Sequence, residues 1–367
     1  MDAEDSAAES SRPREAFRSP GSARSAPCRT SAPMLLAESI IHTLDPYAVE
    51  FGGGFGIRWY GLSYAVGFLI GWMFLRWLGK RGSILLTPVQ VSDFVFYVVV
   101  GVVIGGRLGH VLFYDRDLVT TVHPGFPWWG VLDIHHGGMS SHGGIVGVTL
   151  AALLFAARHR VPFLHLIDCA AIGSPPGLAL GRLANWVNGE LPGKALPPEW
   201  WASPPWWSTK FPAEALEPGF PHLAKLAPLQ RMGIVDPAAP FPRSLVDACY
   251  AGNERALEAL APHLTPHYPN QFLQALTDGP ILLAILLVVW WKPRRPGVVA
   301  GWFFAAYGTL RMGTEALRQP DHGVDQIGAL TLPMMLSIGL IALGAGLAIW
   351  ASRREQMPAI GGIGRRH

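Results

Sequence analysis

Charge is what this sequence has least of. Acidic and basic residues make up 15% of its 367 residues, against about a quarter in an ordinary soluble domain, and several long apolar runs carry almost none. That shortfall excludes a typical soluble chain and points to a polytopic membrane protein, in keeping with a mean hydropathy of +0.27. Surplus charge of either sign is also lacking. A formal net charge of +3 is too small to suggest a nucleic-acid partner, and the basic residues gather in short loops beside apolar runs. Cysteine is rare: Cys28, Cys169 and Cys249 are widely spaced and form no CxxC pair, so neither a disulfide framework nor a zinc site is indicated.

What the chain does have is apolar segments. The expected fold is an all-α polytopic membrane protein with about seven transmembrane helices, running roughly Ile57–Leu78, Val91–Tyr114, Gly143–Ala157, Phe163–Val187, Gln271–Trp291, Val298–Leu317 and Leu330–Trp350. Some fall short of the ~20 residues that cross the hydrocarbon, and several contain glycines, which allow close helix approach. Basic residues follow the odd-numbered spans: Arg76, Lys80 and Arg81; Arg158 and Arg160; Lys292, Arg294 and Arg295; Arg353 and Arg354. With seven spans these clusters share one side, the cytoplasm by the positive-inside rule. The N-terminus is then outside and the C-terminus inside, in a bacterial cytoplasmic (inner) membrane. The division expected is an extension over 1–33, spans one to four within 34–190, an external cap over 191–270, spans five to seven within 271–351 and a cytoplasmic tail over 352–367.

The extension carries Arg12, Arg14, Arg18, Arg24 and Arg29 among Ser, Ala and Pro, with no apolar core of a signal peptide. Its composition reads as disordered, and a start at Met34 would remove its conflict with the topology. The cap is dense in proline, which excludes long helices, and holds the pairs Trp200–Trp201 and Trp206–Trp207, a residue type that favours the headgroup level. Ser244–Leu264 reads as one amphipathic helix. The cap is either a folded external loop or a platform for a substrate.

Ionisable groups within spans cost about 2.5–3.5 kcal/mol each at the helix centre, so they face partners or cavities and mark function. Four clusters qualify. In GRLANWVNGE (181–190), Arg182, Asn185 and Asn188 fall at i, i+3, i+6 before Glu190, a guanidinium fork beside carboxamides, suited to a phosphate or carboxylate. In YGTLRMGTEALRQPD, Tyr307, Arg311 and Glu315 fall at i, i+4, i+8; two arginines from different helices would bind a doubly charged phosphate. In GGMSSHGG, His142 stands between glycine pairs, a candidate general base, with a metal site of His135, His136 and His142 as a further option. In GGRLGHVLFYD, Arg107, His110 and Tyr114 share a face, for packing or for function. Tyr60, in RWYGL, opens the first span.

Taken in order from about Leu44 to Arg354, these motifs resemble those of the bacterial prolipoprotein diacylglyceryl transferase family. RWYGL, GGRLGHVLFYD, GGMSSHGG, GRLANWVNGELPGK and YGTLRMGTEALRQPD each match a family motif. The resemblance implies an enzyme that moves a diacylglyceryl group from phosphatidylglycerol to the lipobox cysteine thiol of a prolipoprotein. The products are a thioether and glycerol phosphate, and no metal or organic cofactor is needed. It places Arg182 and Arg311 at the two essential arginines and His142 at the essential histidine, with Tyr60, Asn185, Glu190, Gly193 and Glu315 at substrate-binding positions. The lipid donor would enter from the bilayer and the peptide from outside.

There are departures. Pro192 and Lys194 stand where aromatic and arginine residues are usual, PNQFLQ (269–274) where a PSQLYE-like motif is, and TLPMMLS (331–337) where Gly-Gln is common. Two rival functions share the residues: an anion transporter, for which no internal repeat is found, and an intramembrane lipid-phosphate hydrolase, for which Ser140 and Ser141 beside His142 are the only nucleophile candidates.

Overall fold

The computed structural model describes residues 39–52, 55–125, 127–134, 137–236, 238–319, 326–327 and 330–363; the extension over 1–33, the alternative start at Met34, and His135 and His136 lie outside them. Three strands come first: β1 (Ile40–Ile41), β2 (Tyr47–Gly52) and β3 (Phe55–Arg58). The β2–β3 hairpin is antiparallel and runs straight into α1 (Trp59–Lys80), so Ile57, expected to open the first span, is a strand residue.

Helix α2 (Pro88–Phe113) starts on a capping box: the Thr87 side chain accepts from Gln90 N–H, the Gln90 side chain accepts from Thr87 N–H, and Pro88 fills the first turn. Helix α3 (Ser141–His159) is capped by Ser140. The expected fourth span, Phe163–Val187, is not one helix. It is α4 (Phe163–Gly173) and α5 (Pro175–Val187), bent by 43°, because Pro175 and Pro176 remove backbone donors where the helix would continue.

The stretch 191–269 follows. Here β4 (Thr209–Lys210) pairs in parallel with β1, and four short helices follow: α6 (Leu223–Leu226), α7 (Pro228–Arg231), α8 (Arg243–Tyr250) and α9 (Glu254–Leu260). The single amphipathic helix expected over Ser244–Leu264 is therefore two. Gly252 takes φ +79 between them, a conformation open to glycine, and the Asn253 side chain accepts from Ala256 N–H to start α9. Ala215, Phe220, Leu245, Val246, Cys249, Ala256 and Leu260 bury together as a small core of this stretch.

Beyond it run α10 (Asn270–Leu276), a π turn over Thr277–Ile281 holding Pro280, α11 (Leu282–Val289) and α12 (Val298–Glu315). The antiparallel pair β5 (Gln326–Ile327) and β6 (Leu330–Thr331) leads into α13 (Leu332–Arg353). Strand pairs were absent from the all-α expectation; they are short and flank the helices.

Five stretches are long and apolar enough to cross a bilayer: α1, α2, α3, Asn270–Val289 and α13, with the bent pair α4–α5 a sixth if it is one span. Helix α12 stands where another was expected, but is not among them; Arg311 and Glu315 lower its apolar content. The chain is a mainly helical polytopic membrane protein with five or six candidate spans. Its helices turn large apolar side chains outward, with Phe96 66%, Leu154 63% and Leu343 60% exposed, a surface that suits lipid and not water.

Backbones meet at glycines. A methyl group on Gly109 of α2 would lie 2.7 Å from Gly143 Cα of α3, and one on Gly67 of α1 would lie 2.7 Å from Gly177 Cα of α5. Leu75, Leu78, Phe94, Phe155, Leu166, Ile172, Leu282, Leu286 and Trp290 form the helical core.

One end of the bundle collects the basic loops. Leu85 N–H donates to His165 Nε2 (3.0 Å), Gly297 packs against Leu164 and Ala351, and Gly361 against Ser83 and Trp290. Arg295 donates to Ser352 O. Asp168 of α4, buried, accepts from Gly297 N–H (2.8 Å) and Ala300 N–H (2.7 Å), capping the free donors at the start of α12.

Candidate functional site

The opposite end gathers the polar clusters: the start of α1, the end of α5, the start of α10 and the end of α12. Arg182, on α5, donates from Nε to the fully buried Asp278 carboxylate in the π turn (2.9 Å) and from Nη2 to Tyr307 OH on α12 (3.4 Å). One helical turn beyond Tyr307, Arg311 pairs through Nη2 with Glu315 Oε2 (3.1 Å). The opposite oxygen, Oε1, lies 3.4 Å from Arg318 Nη1. Arg182 thus reaches α12 one helical turn before Arg311. Among the described residues each guanidinium has one acidic partner, Asp278 for Arg182 and Glu315 for Arg311, which fixes its direction.

Beside this pair is a second network. Asn185, one turn after Arg182, donates to Tyr60 OH of α1 and to Glu190 Oε2 (3.3 Å), and Tyr60 OH donates to the same oxygen (3.4 Å). Asn188 donates to Glu190 Oε1 (3.4 Å); it lies past the last turn of α5, so it reaches the site from the cap position and not from a helix face. Gln271 of α10 donates to Glu190 O (2.8 Å). Gly193 pairs with Arg318 as an isolated antiparallel bridge, and a methyl group there would lie 2.8 Å from Tyr268 Cβ. Its carbonyl accepts from His267 Nδ1 (2.8 Å). Gly193 is thereby a backbone crossing point between three segments.

His142 stands on α3. It is exposed in the first turn of α3, a helix packed on α2 and α4, and among the described residues no hydrogen bond or ion pair joins it to Arg182 or Arg311. Arg107 has a structural task. Its guanidinium donates to the carbonyls of Gly130 (2.6 Å), Val131 (2.7 Å), Gly137 (2.8 Å) and Gly138 (3.0 Å), pinning the loop before α3 to α2. His110 stacks on Tyr114 (5.7 Å, 11°). Ser140 caps α3 by accepting from Gly143 N–H (3.3 Å).

Several site residues escaped the sequence reading. Asp278 lies in the apolar run ALTDGPILL, where the expense of a buried charge was signal enough to find it. Gln271 and Arg318 sit inside motifs that were read for other residues. Of the positions that depart from the family motifs, Lys194 donates its backbone N–H to Leu317 O (2.8 Å), and the Thr331 side chain accepts from Met334 N–H (3.4 Å) at the start of α13.

Fold and site together define a polytopic membrane protein that keeps an arginine pair and its carboxylates at one end of a helical bundle. A family profile described as prolipoprotein diacylglyceryl transferase matches residues 46–350. The chain is similar to the phosphatidylglycerol–prolipoprotein diacylglyceryl transferase of Bdellovibrio bacteriovorus, 36% identical over 341 residues, covering 87% of this chain and 96% of that protein. It is also similar to the proteins of the same name from Bradyrhizobium diazoefficiens (33% over 317 residues; 84% and 92% covered) and Burkholderia thailandensis (35% over 326 residues; 86% and 97% covered). The chain belongs to the prolipoprotein diacylglyceryl transferase family.

Proposed function

We propose that this chain transfers the diacylglyceryl group of phosphatidylglycerol to the cysteine thiol of a prolipoprotein lipobox. The thiolate sulfur attacks the glycerol carbon that bears the phosphate; a C–S bond forms, the C–O bond breaks, and glycerol phosphate leaves with the electron pair. The thiol proton passes to a base, for which His142 is the candidate. Negative charge grows on the leaving phosphate, where preorganised donors stabilise the transition state most. The observation that carries this reading is that Arg182 reaches α12 at Tyr307, one helical turn before Arg311 and its partner Glu315. Asp278 and Glu315 hold the guanidiniums in place, and Tyr60, Asn185, Glu190 and Gly193 shape the lipid-facing wall.

In this reading α4–α5 and α12 each cross the membrane, giving seven spans in a bacterial cytoplasmic membrane. The basic loops face the cytoplasm together with the tail over 352–367, the chain over 34–190 and 271–351 spans the bilayer, and the N-terminus and the cap over 191–270 face outward, where the lipobox peptide arrives.

The test is reconstitution of purified protein with phosphatidylglycerol and a lipobox peptide, read by mass spectrometry. A peptide that gains the diacylglyceryl mass is the expected product; free diacylglycerol with unmodified peptide would indicate hydrolysis, and neither product would favour transport. Arg182→Lys and Arg311→Lys each keep the charge but lose the fork, and each is expected to lower transfer by at least about 100-fold in protein that still inserts. Activity close to wild type in either would place the phosphate elsewhere.

A further inference from the structure

The polar face of α10 is left over from this account. Asp278 meets α5 at Arg182 and Gln271 meets the Glu190 carbonyl just beyond it, and Gln274 lies between them, three residues after Gln271 and four before Asp278. All three are sealed from solvent, at 1%, 1% and 0% exposure for Gln271, Gln274 and Asp278. Yet each has a polar atom with no partner among the described residues: Gln271 Oε1, Gln274 Nε2 and Asp278 Oδ1. Asn270, one turn before Gln274, is fully buried with both amide atoms unpartnered, and Arg311 Nη1 is unpartnered as well. Buried polar groups in native proteins are nearly always bonded, to protein, ordered water or ligand, so a row of them beside an arginine pair calls for such a partner.

We propose that Gln271, Gln274 and Asp278 form a hydroxyl-recognition row that reads the terminal glycerol of the lipid headgroup. The proposal rests on the transferase reading and adds what selects the donor. The free atoms run acceptor, donor, acceptor along one helix face. A vicinal diol offers two O–H donors and two oxygen acceptors and can satisfy all three while its phosphate lies on Arg182 and Arg311. An ammonium headgroup offers only donors and leaves Gln274 Nε2 unpaired; an alkyl headgroup leaves the whole row unpaired. A site built from buried polar groups rejects a ligand lacking the matching hydroxyls far more strongly than an apolar pocket rejects a missing methylene. Ordered water is the competing occupant, and it predicts indifference to the headgroup hydroxyls.

The experiment compares phosphatidylglycerol with phosphatidylpropanol of the same acyl chains as donors to a lipobox peptide in proteoliposomes. Wild-type protein is expected to favour phosphatidylglycerol in kcat/KM by about 100-fold or more. Gln274→Met is expected to bring the two donors within about threefold, chiefly through loss with phosphatidylglycerol. Equal use of both donors by wild-type protein, or an undiminished preference in Gln274→Met, overturns the proposal. A second measurement separates this from failure of the transferase reading: displacement of a fluorescent phosphatidylglycerol from wild-type protein by glycerol phosphate or by propyl phosphate. If neither donor modifies the peptide, the transferase reading falls, and displacement alone decides the row. Glycerol phosphate competing at least about tenfold better supports it, and equal competition overturns it.

Discussion

Arg182 has a charge partner that helical spacing on its own segment does not supply. Asn185 and Glu190 are near it in sequence, but the acid that takes its Nε is Asp278, 96 residues away. Removing one partner of a buried ion pair is costly because the other is left uncompensated. Asp278→Ala is therefore expected to destabilise the protein by up to about 3 kcal/mol and to lose transfer, whereas Asp278→Glu retains most of the stability; thermal unfolding in detergent measures both. An Asp278→Ala protein that melts like wild type would show that Arg182 finds its compensation elsewhere. At this scale the sequence was informative where chemistry is expensive. Arginine and glutamate inside apolar runs marked the candidate site, and Asp278 was open to the same argument. Arg107 was not legible, since its partners are four backbone carbonyls and carbonyls leave no mark in a sequence.

Among the elements, periodicity and hydropathy located the helices but not their interruptions. The bend before Pro175 and the π turn around Pro280 have prolines to mark them, yet proline alone does not say whether a membrane helix kinks or stops. The split between α8 and α9 had a clearer sign in Gly252 and Asn253. The strand β1 joins the chain before α1 to the stretch 191–269, and His42 beside it is buried among Trp186, Phe211 and Tyr250. Its Nε2 lies 3.1 Å from Val187 O, at the end of α5. Burial pushes the His42 pKa below its ordinary 6.5, so the fold prefers the neutral ring. Its contribution to stability is present above pH 6.5 and is lost as pH falls through the lowered folded value. Wild-type protein should melt at lower temperature at about pH 5 than at about pH 7, and His42→Gln should shrink that difference. An unchanged difference would assign the acid sensitivity to other groups.

For the molecule as a whole, the arrangement of its ends matters most. The basic loops share one end and the site the other, an ordering that the positive-inside rule anticipates from the arginines and lysines alone. In spheroplasts of cells expressing a chain with Cys28 replaced, Cys169 and Cys249 remain buried, so single added cysteines report on the loops. Trp206→Cys, at a position 59% exposed in the wild-type chain, should react with a membrane-impermeant maleimide from outside, and Arg158→Cys should react only after lysis. External labelling at Arg158→Cys would invert the proposed topology. A further consequence follows from the way the bent pair α4–α5 holds α12 twice, by Asp168 at its beginning and by Arg182 at Tyr307. A rod bolted to one bracket at two points cannot slide or tilt freely against it. The spacing of the two cationic groups is thereby expected to resist thinning or lateral squeezing of the surrounding lipid.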